Sequence, residues 1–166
     1  MLRAATLRDA GEVAGVMIES RRAFVAFAPM AHAEDDVRRW VRERLVPGGG
    51  VWVWGPPAQG DRAAQVVAML ACSQADGVAW IDHLYLRPGW TGQGIGERLR
   101  LLAHALAVLP RPLRLYTFQA NAGARRFYER HGFRALALTD GQGNEERCPD
   151  VLYELGGAGP ADPCAA

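Results

Sequence analysis

The chain has 166 residues, 49% apolar and 22% charged, with a formal net charge of +1. Length and composition suit one globular domain with a sizeable core, and the near-zero charge gives no bulk field to recruit nucleic acid or a membrane surface. Cys72, Cys148 and Cys164 are too few and too scattered for a disulfide framework or a zinc site, so a reducing cytoplasm is expected, without a signal peptide or any apolar run near the ~18 residues of a membrane helix.

Leu2 to Ala5 reads as a first strand. Thr6-Leu7-Arg8-Asp9 fits a capping box, and Ala10, Val13, Ala14 and Met17 recur on one helical face, so a first helix is expected to about Ser20. Arg21 to His32 has aromatics but no clean period. It reads as a loop or broken helix, whose Phe24 and Phe27 either pack or form a substrate wall. Glu34-Asp35-Asp36 places acids where a helix N-terminus favours them. Val37, Trp40, Val41 and Leu45 form the expected buried stripe, with Arg38, Arg39, Arg42 and Arg44 facing water. Pro47 and Gly48 to Gly50 stop that helix.

Val51 to Trp54 alternates Val and Trp and reads as a strand. Pro56 to Asp61 is a turn, and Gln65 to Ser73 an apolar strand in which Cys72 acts as a small buried hydrophobe. Trp80 to Leu86 is the next strand, ended by Pro88-Gly89. After the helix from about Gly94 to Leu109, stopped by Pro110 and Pro112, Leu113 to Phe118 is rich in β-formers. Asn121 is placed as an N-cap. Ala124, Phe127, Tyr128 and His131 share one face of its helix, and Gly132 is its C′ residue. Phe133 to Leu138 and Val151 to Leu155 are the last strands, and residues 156–166 read as a disordered tail.

The chain is organised around Gly92-Gln93-Gly94-Ile95-Gly96, between a strand and a helix. Glycines let backbone N–H groups approach a ligand closely. A helix starting there adds unpaired N–H groups and the positive end of its dipole. The result is an anion site suited to phosphate. A Walker loop needs lysine, and all 19 basic residues are arginine. A dinucleotide fingerprint needs G-x-G-x-x-G on an early strand, whereas the spacing here is G-x-G-x-G in mid-chain.

Leu86-Arg87-Pro88 followed by Gly92 to Gly96 resembles the acetyl-coenzyme A loop of the GNAT acetyltransferases. Asn121-x-x-Ala124-x-x-Phe127-Tyr128, followed by Gly132-Phe133, resembles a second motif of that family. The resemblance covers about Leu2 to Leu155. It implies an α/β (α+β) fold: a mixed, mostly antiparallel sheet of six to seven strands, flanked by about four helices and splayed between strands 4 and 5. It further implies a single GNAT domain over residues 1–155.

The resemblance also implies the chemistry: transfer of an acetyl group from acetyl-CoA to an amine by direct attack, with no metal. The cofactor would meet Leu84, Tyr85 and Leu86 through their main chain, then Thr91, Gly92, Gln93, Gly94, Ile95, Gly96, Asn121 and Arg125. Thr91 departs from the family's usual Arg/Gln at the loop's first position, which weakens one side-chain phosphate contact; Arg87, Arg98 or Arg125 would substitute. Tyr128 matches the general acid, since a phenol keeps its proton at neutral pH and can donate it; a packed core tyrosine is the competing reading. Asp82 is the first choice for the base, against an ordinary ion-paired aspartate, because strand parity sets it with Trp80, Leu84 and Leu86. His83 is a lesser candidate on the opposite face. Glu145, Glu146 and Asp150 fit a cationic amine less well than a solvated surface. Phe24, Phe27, Trp52, Trp54 and His83 are the candidate acceptor wall. The acceptor is a small-molecule or peptide amine, with no nucleic acid or membrane partner, and a homodimer is compatible with the family. A non-catalytic acyl-CoA-binding module on the same fold is the alternative, and the intact Tyr128 argues against it.

Overall fold

The computed structural model describes residues 1–56, 65–90 and 95–156, with side chains of the last stretch from Arg100 onward. The expected turn after Pro56, the loop residues Thr91 to Gly94 and the tail from 157 lie outside the described residues. The described residues form seven strands, β1 (Leu2–Ala4), β2 (Val51–Trp54), β3 (Ala68–Ala75), β4 (Val78–Leu86), β5 (Leu113–Phe118), β6 (Arg134–Leu138) and β7 (Asp150–Leu155). They also form four α-helices, α1 (Ala10–Phe24), α2 (Glu34–Trp40), α3 (Ile95–Val108) and α4 (Ala122–Arg130). The strands form one sheet in the order β1-β2-β3-β4-β5-β7-β6. Pairs β1–β2, β2–β3, β5–β7 and β6–β7 are antiparallel and β4–β5 is parallel. The expected mixed, mostly antiparallel sheet with four helices is therefore the observed one. The parallel ladder registers Ala79 with Leu113 and Trp80 with Arg114, at the start of both strands, in keeping with the expected splay.

The chain divides into two compact units, residues 1–73 with 81–108, and residues 74–80 with 109–166. In the first unit, Val13, Ala14, Val16 and Met17 of α1 bury against Val51 and Val53 of β2 and Met69 and Ala71 of β3. The alternation of β2 is the expected one: its valines are buried and its tryptophans half-buried. Each such aliphatic side chain contributes about 1.5–3 kcal/mol of transfer free energy.

The entry to α1 is a short 3-10 turn over Leu7–Asp9. The Thr6 N–H and hydroxyl both donate to the Asp9 carboxylate, at 2.8 and 2.9 Å. Arg3 closes the site with a two-pronged bond to the same carboxylate at 2.7 Å on each prong. These contacts hold the Asp9 carboxyl well below the usual carboxylate range, the Arg3 bond being the largest cause. The helix runs to Phe24, four residues beyond the expected end at Ser20. Its last turn is helical because Val25 N–H still finds the Arg21 carbonyl, at 2.9 Å.

The second helix departs from expectation. After α2 the chain widens into a π-turn over Val41–Leu45, marked by the Val46 N–H bonding the Val41 carbonyl at 3.0 Å. The extra residue in that turn breaks the 3.6-residue period. Val41 is fully buried, but Trp40, expected in the same stripe, is 41% exposed. Cys72, expected to be buried, is half-buried; burial and then the Asp82 charge push its thiol up to about 12.

In the second unit, β7 inserts between β5 and β6. Leu113 and Leu115 of β5 and Val151 and Tyr153 of β7 are buried, while every residue of the edge strand β6 is exposed. Asp150 is buried too, against the expectation of a solvated acid. It accepts from the Thr139 hydroxyl, and from Asn144 Nδ2 at 3.0 Å. The same Asn144 amide donates to the Cys148 carbonyl at 2.7 Å, so Asp150 is committed to holding the segment between β6 and β7.

Candidate active site

Strand β4 supplies the first group of candidates. Ala79, Ile81 and Leu86 are its buried residues, so burial changes parity along the strand. Asp82, expected to share surroundings with Leu86, is instead exposed, and Leu84 is half-buried. The Ser73 hydroxyl donates to the Asp82 carboxylate at 3.1 Å. Desolvation by neighbouring atoms raises its pKa, and the Ser73 bond opposes that rise. A raised carboxyl is a better proton acceptor at neutral pH than an ordinary one.

His83 and Tyr85 lie two apart on β4 and their rings stack, with centroids 5.7 Å apart and planes 22° apart. The His83 ring also meets Trp40 edge-on, at 5.9 Å and 83°. Burial, and secondarily the Arg21 charge, push the His83 imidazole down to about 4. The ring is therefore neutral at pH 7.

Arg87, weighed as a phosphate ligand, is occupied elsewhere. Its guanidinium pairs with Glu19, and with Glu12 at 3.2 Å, while Nε donates to the Val66 carbonyl at 2.9 Å. Glu12 and Glu19 share one face of α1 with Gly15 between them. A Cβ on Gly15 would stand 3.1 Å from the guanidinium, so glycine leaves the space through which Arg87 passes.

Two of the acceptor candidates pack against other rings. Trp52 lies 4.0 Å, centroid to centroid, from His104 of α3. Trp54 meets Trp90 at 6.5 Å and lies beneath Arg100 at 6.0 Å. Phe24 is half-buried on the last turn of α1, and Phe27, in the irregular segment after it, is 45% exposed. Of the glycine loop, Ile95 and Gly96 open α3, while Thr91, Gly92, Gln93 and Gly94 lie outside the described residues.

Helix α4 carries the remaining candidates, in the second unit. Asn121 caps it as expected: Oδ1 accepts from Ala124 N–H at 3.0 Å. Gly132 follows the helix at φ +85°. Tyr128 is buried, its ring set among Phe127 at 5.3 Å, Phe133 at 5.5 Å and Tyr153 at 6.4 Å. Arg125 Nε donates to the Tyr153 hydroxyl at 3.2 Å, and that hydroxyl donates to Glu129 at 2.6 Å. The two ends of this relay straddle Tyr128 on the helix and fasten α4 to β7. Sequence reasoning missed it, as it missed the Trp40–His83 contact, because both join side chains far apart in the chain. Among the described residues, no group of three or more His, Cys, Asp or Glu is arranged to hold a metal ion, and no helix is long and apolar enough to cross a membrane.

Solved structures share this fold. The apo form of YjaB from Escherichia coli superposes with a TM-score of 0.68 at 22% identity, covering 95% of this chain and 98% of that one. NAA60 from Arabidopsis thaliana, in complex with a bisubstrate analogue, gives 0.67 at 17% identity, over 93% and 97%. The paia N-acetyltransferase from Thermoplasma acidophilum, in complex with coenzyme A, gives 0.58 at 20% identity, over 93% and 98%. No curated protein matches the chain. The family model for the acetyltransferase (GNAT) family matches residues 15–133, and the chain belongs to that family.

Proposed function

We propose that the protein is an acetyl-CoA-dependent N-acetyltransferase, acting on an amine of a small-molecule or peptide acceptor by direct attack in a ternary complex. The observation that carries this reading is the family match over residues 15–133, which includes the Gly92–Gly96 loop and the whole of α4. The match draws on both compact units, which supports reading residues 1–155 as one acetyltransferase domain. The coenzyme A complex of the Thermoplasma acidophilum protein supports the choice of donor. Free Cys72 and Cys148 suit a reducing, cytoplasmic setting.

The residues present fit acetyl-CoA. Strand β4 continues to Leu86, past its registered pairs with β5 at Ala79 and Trp80. The main chain of Leu84 to Leu86 would take the pantetheine arm as an added strand is taken. The Gly92–Gly96 loop, by its resemblance to the family's acetyl-coenzyme A loop, would hold the diphosphate through backbone N–H groups. Asp82 receives the proton that the amine must lose. The amine nitrogen bonds to the acetyl carbon, the carbon–sulfur bond breaks, and Tyr128 gives its phenolic proton to the departing thiolate.

The test is turnover of acetyl-CoA with a panel of amines, read as free thiol. Tyr128→Phe is expected to lower kcat about 100-fold or more with acetyl-CoA affinity unchanged; equal turnover in the variant removes Tyr128 from the role. Gly94→Glu places an anion in the phosphate cradle and is expected to abolish acetyl-CoA binding by calorimetry. Undiminished binding would refute the cradle.

A further inference from the structure

We infer that β6 is an interaction edge, along which two copies of this chain pair antiparallel about a two-fold axis. Three observations carry the inference. The first is a bare strand. β6 ends the sheet order, with β7 as its neighbour, and every residue from Arg134 to Leu138 is exposed. Leu136 is 51% exposed and Leu138 65%. Open edges are usually blunted with proline or charge, because their unpaired N–H and C=O groups accept another strand. This edge carries one charge, Arg134, and no proline.

The second is which groups face outward. Thr139 N–H bonds the Asp150 carbonyl of β7 at 2.9 Å. Alternation therefore turns the N–H and C=O of Leu138 to the free side. On β7 the same alternation turns the backbone of Tyr153 toward β5, so Ala135, registered opposite Tyr153, also presents its N–H and C=O outward. The register shifts between Ala135 and Ala137, with Leu136 as the extra residue. A bulge can blunt an edge, but this one brings Ala135 and Leu138 into phase. They stand opposite Tyr153 and Val151, which share the buried face of β7. Ala135 and Leu138 thus offer free backbone groups and apolar side chains on one face.

The third is self-complementarity. Placing Ala135 of one copy opposite Leu138 of the other generates the same contact again through the two-fold, so one strand supplies both halves of the interface. Each such pair exchanges two N–H···O bonds, as an added strand does, and covers the Leu138 side chains. The charges fit the same register. Arg134 has no acidic partner among the described residues, since Glu154 opposite it is taken by Arg114 at 2.6 Å. Asp140 is exposed, and its carboxylate accepts from the Gln142 N–H at 3.0 Å rather than from a cation. In the paired strands Arg134 lies opposite Thr139 of the other copy, one residue from Asp140, at both ends.

The experiment is sedimentation of the full chain from about 1 to 200 µM, a range in which so small an interface is expected to show a monomer–dimer equilibrium. Leu138→Lys is expected to weaken dimerisation about tenfold or more, and Arg134→Asp about fivefold. Both residues are exposed, so both variants are expected to fold, which circular dichroism checks. The register is read by oxidative cross-linking of a mixture of Ala135→Cys and Leu138→Cys chains. These are expected to join as a heterodimer, because the Cα atoms of a hydrogen-bonded pair lie about 5.5 Å apart, within disulfide reach. Wild type under the same oxidation controls for Cys72, Cys148 and Cys164. A chain that stays monomeric at every concentration overturns the inference, whether β6 is bare or covered by residues 157–166. So does a dimer that Leu138→Lys leaves intact, because it uses another surface. Cross-linking of either cysteine variant with itself as readily as in the mixture overturns the antiparallel pairing.

Discussion

His83 takes up a proton only near pH 4 in the folded protein, against 6.5 for a free imidazole. Between those two values the unfolded chain binds a proton that the folded chain does not. Stability is therefore lost as pH falls from about 6.5 toward 4, and the loss levels off once the folded ring is also protonated. Urea unfolding followed across that range should show this slope, and His83→Phe should flatten it; an unchanged slope would mean that His83 is not the group responsible. At this scale the sequence could nominate residue types but not their state. Asp82 and His83 were both visible as titratable groups on one strand. The shift of each depends on residues distant in the chain: Ser73 opposes the rise at Asp82, and Arg21 adds to the effect of burial at His83. Asp150 makes the same point, because its burial comes from Thr139 and Asn144 closing over it.

At the scale of elements, helix α4 was the most legible. Its cap, its apolar face and its terminating glycine all lie within a dozen residues and act locally. Asn121→Ala is expected to destabilise the protein by about 1 kcal/mol through loss of the bond to Ala124 N–H. Gly132→Ala should cost about 1–2 kcal/mol, because the residue sits at φ +85°, where a side chain is strained. The new Cβ would also stand 3.2 Å from Leu155 Cδ1. Thermal denaturation of both variants checks these values, and a Gly132→Ala protein as stable as wild type would contradict the strain. Helix α2 was less legible for a definite reason. Reading Val37, Trp40, Val41 and Leu45 as one stripe assumes 3.6 residues per turn, and the π-turn violates that period just where Trp40 ends the helix.

Arg87 shows what acts at the scale of the molecule. It leaves the end of β4, passes over Gly15 and joins Glu12 and Glu19 of α1, while Nε satisfies the Val66 carbonyl. Its side chain is 15% exposed and the two glutamates 47% and 44%, so solvent screens the charges and the hydrogen bonds carry most of the effect. Arg87→Ala is expected to cost about 1–3 kcal/mol in urea unfolding. Arg87→Lys should recover less than half, since a single ammonium cannot make all three contacts; full recovery by lysine would show that charge alone suffices. Read as a sequence, Arg87 sits in a motif beside the glycine loop and invites a role at phosphate, yet the fold commits its donors to α1 and to the Val66 carbonyl ahead of β3. The sequence by itself determined the elements, the loop and α4 motifs and hence the family, because each depends on the spacing of residues close together in the chain. Only the tertiary structure decided that β7 lies between β5 and β6, that Arg87 serves α1, and that Trp40 meets His83. Those pairings depend on how non-adjacent elements bury their faces against one another, and no local spacing encodes that choice.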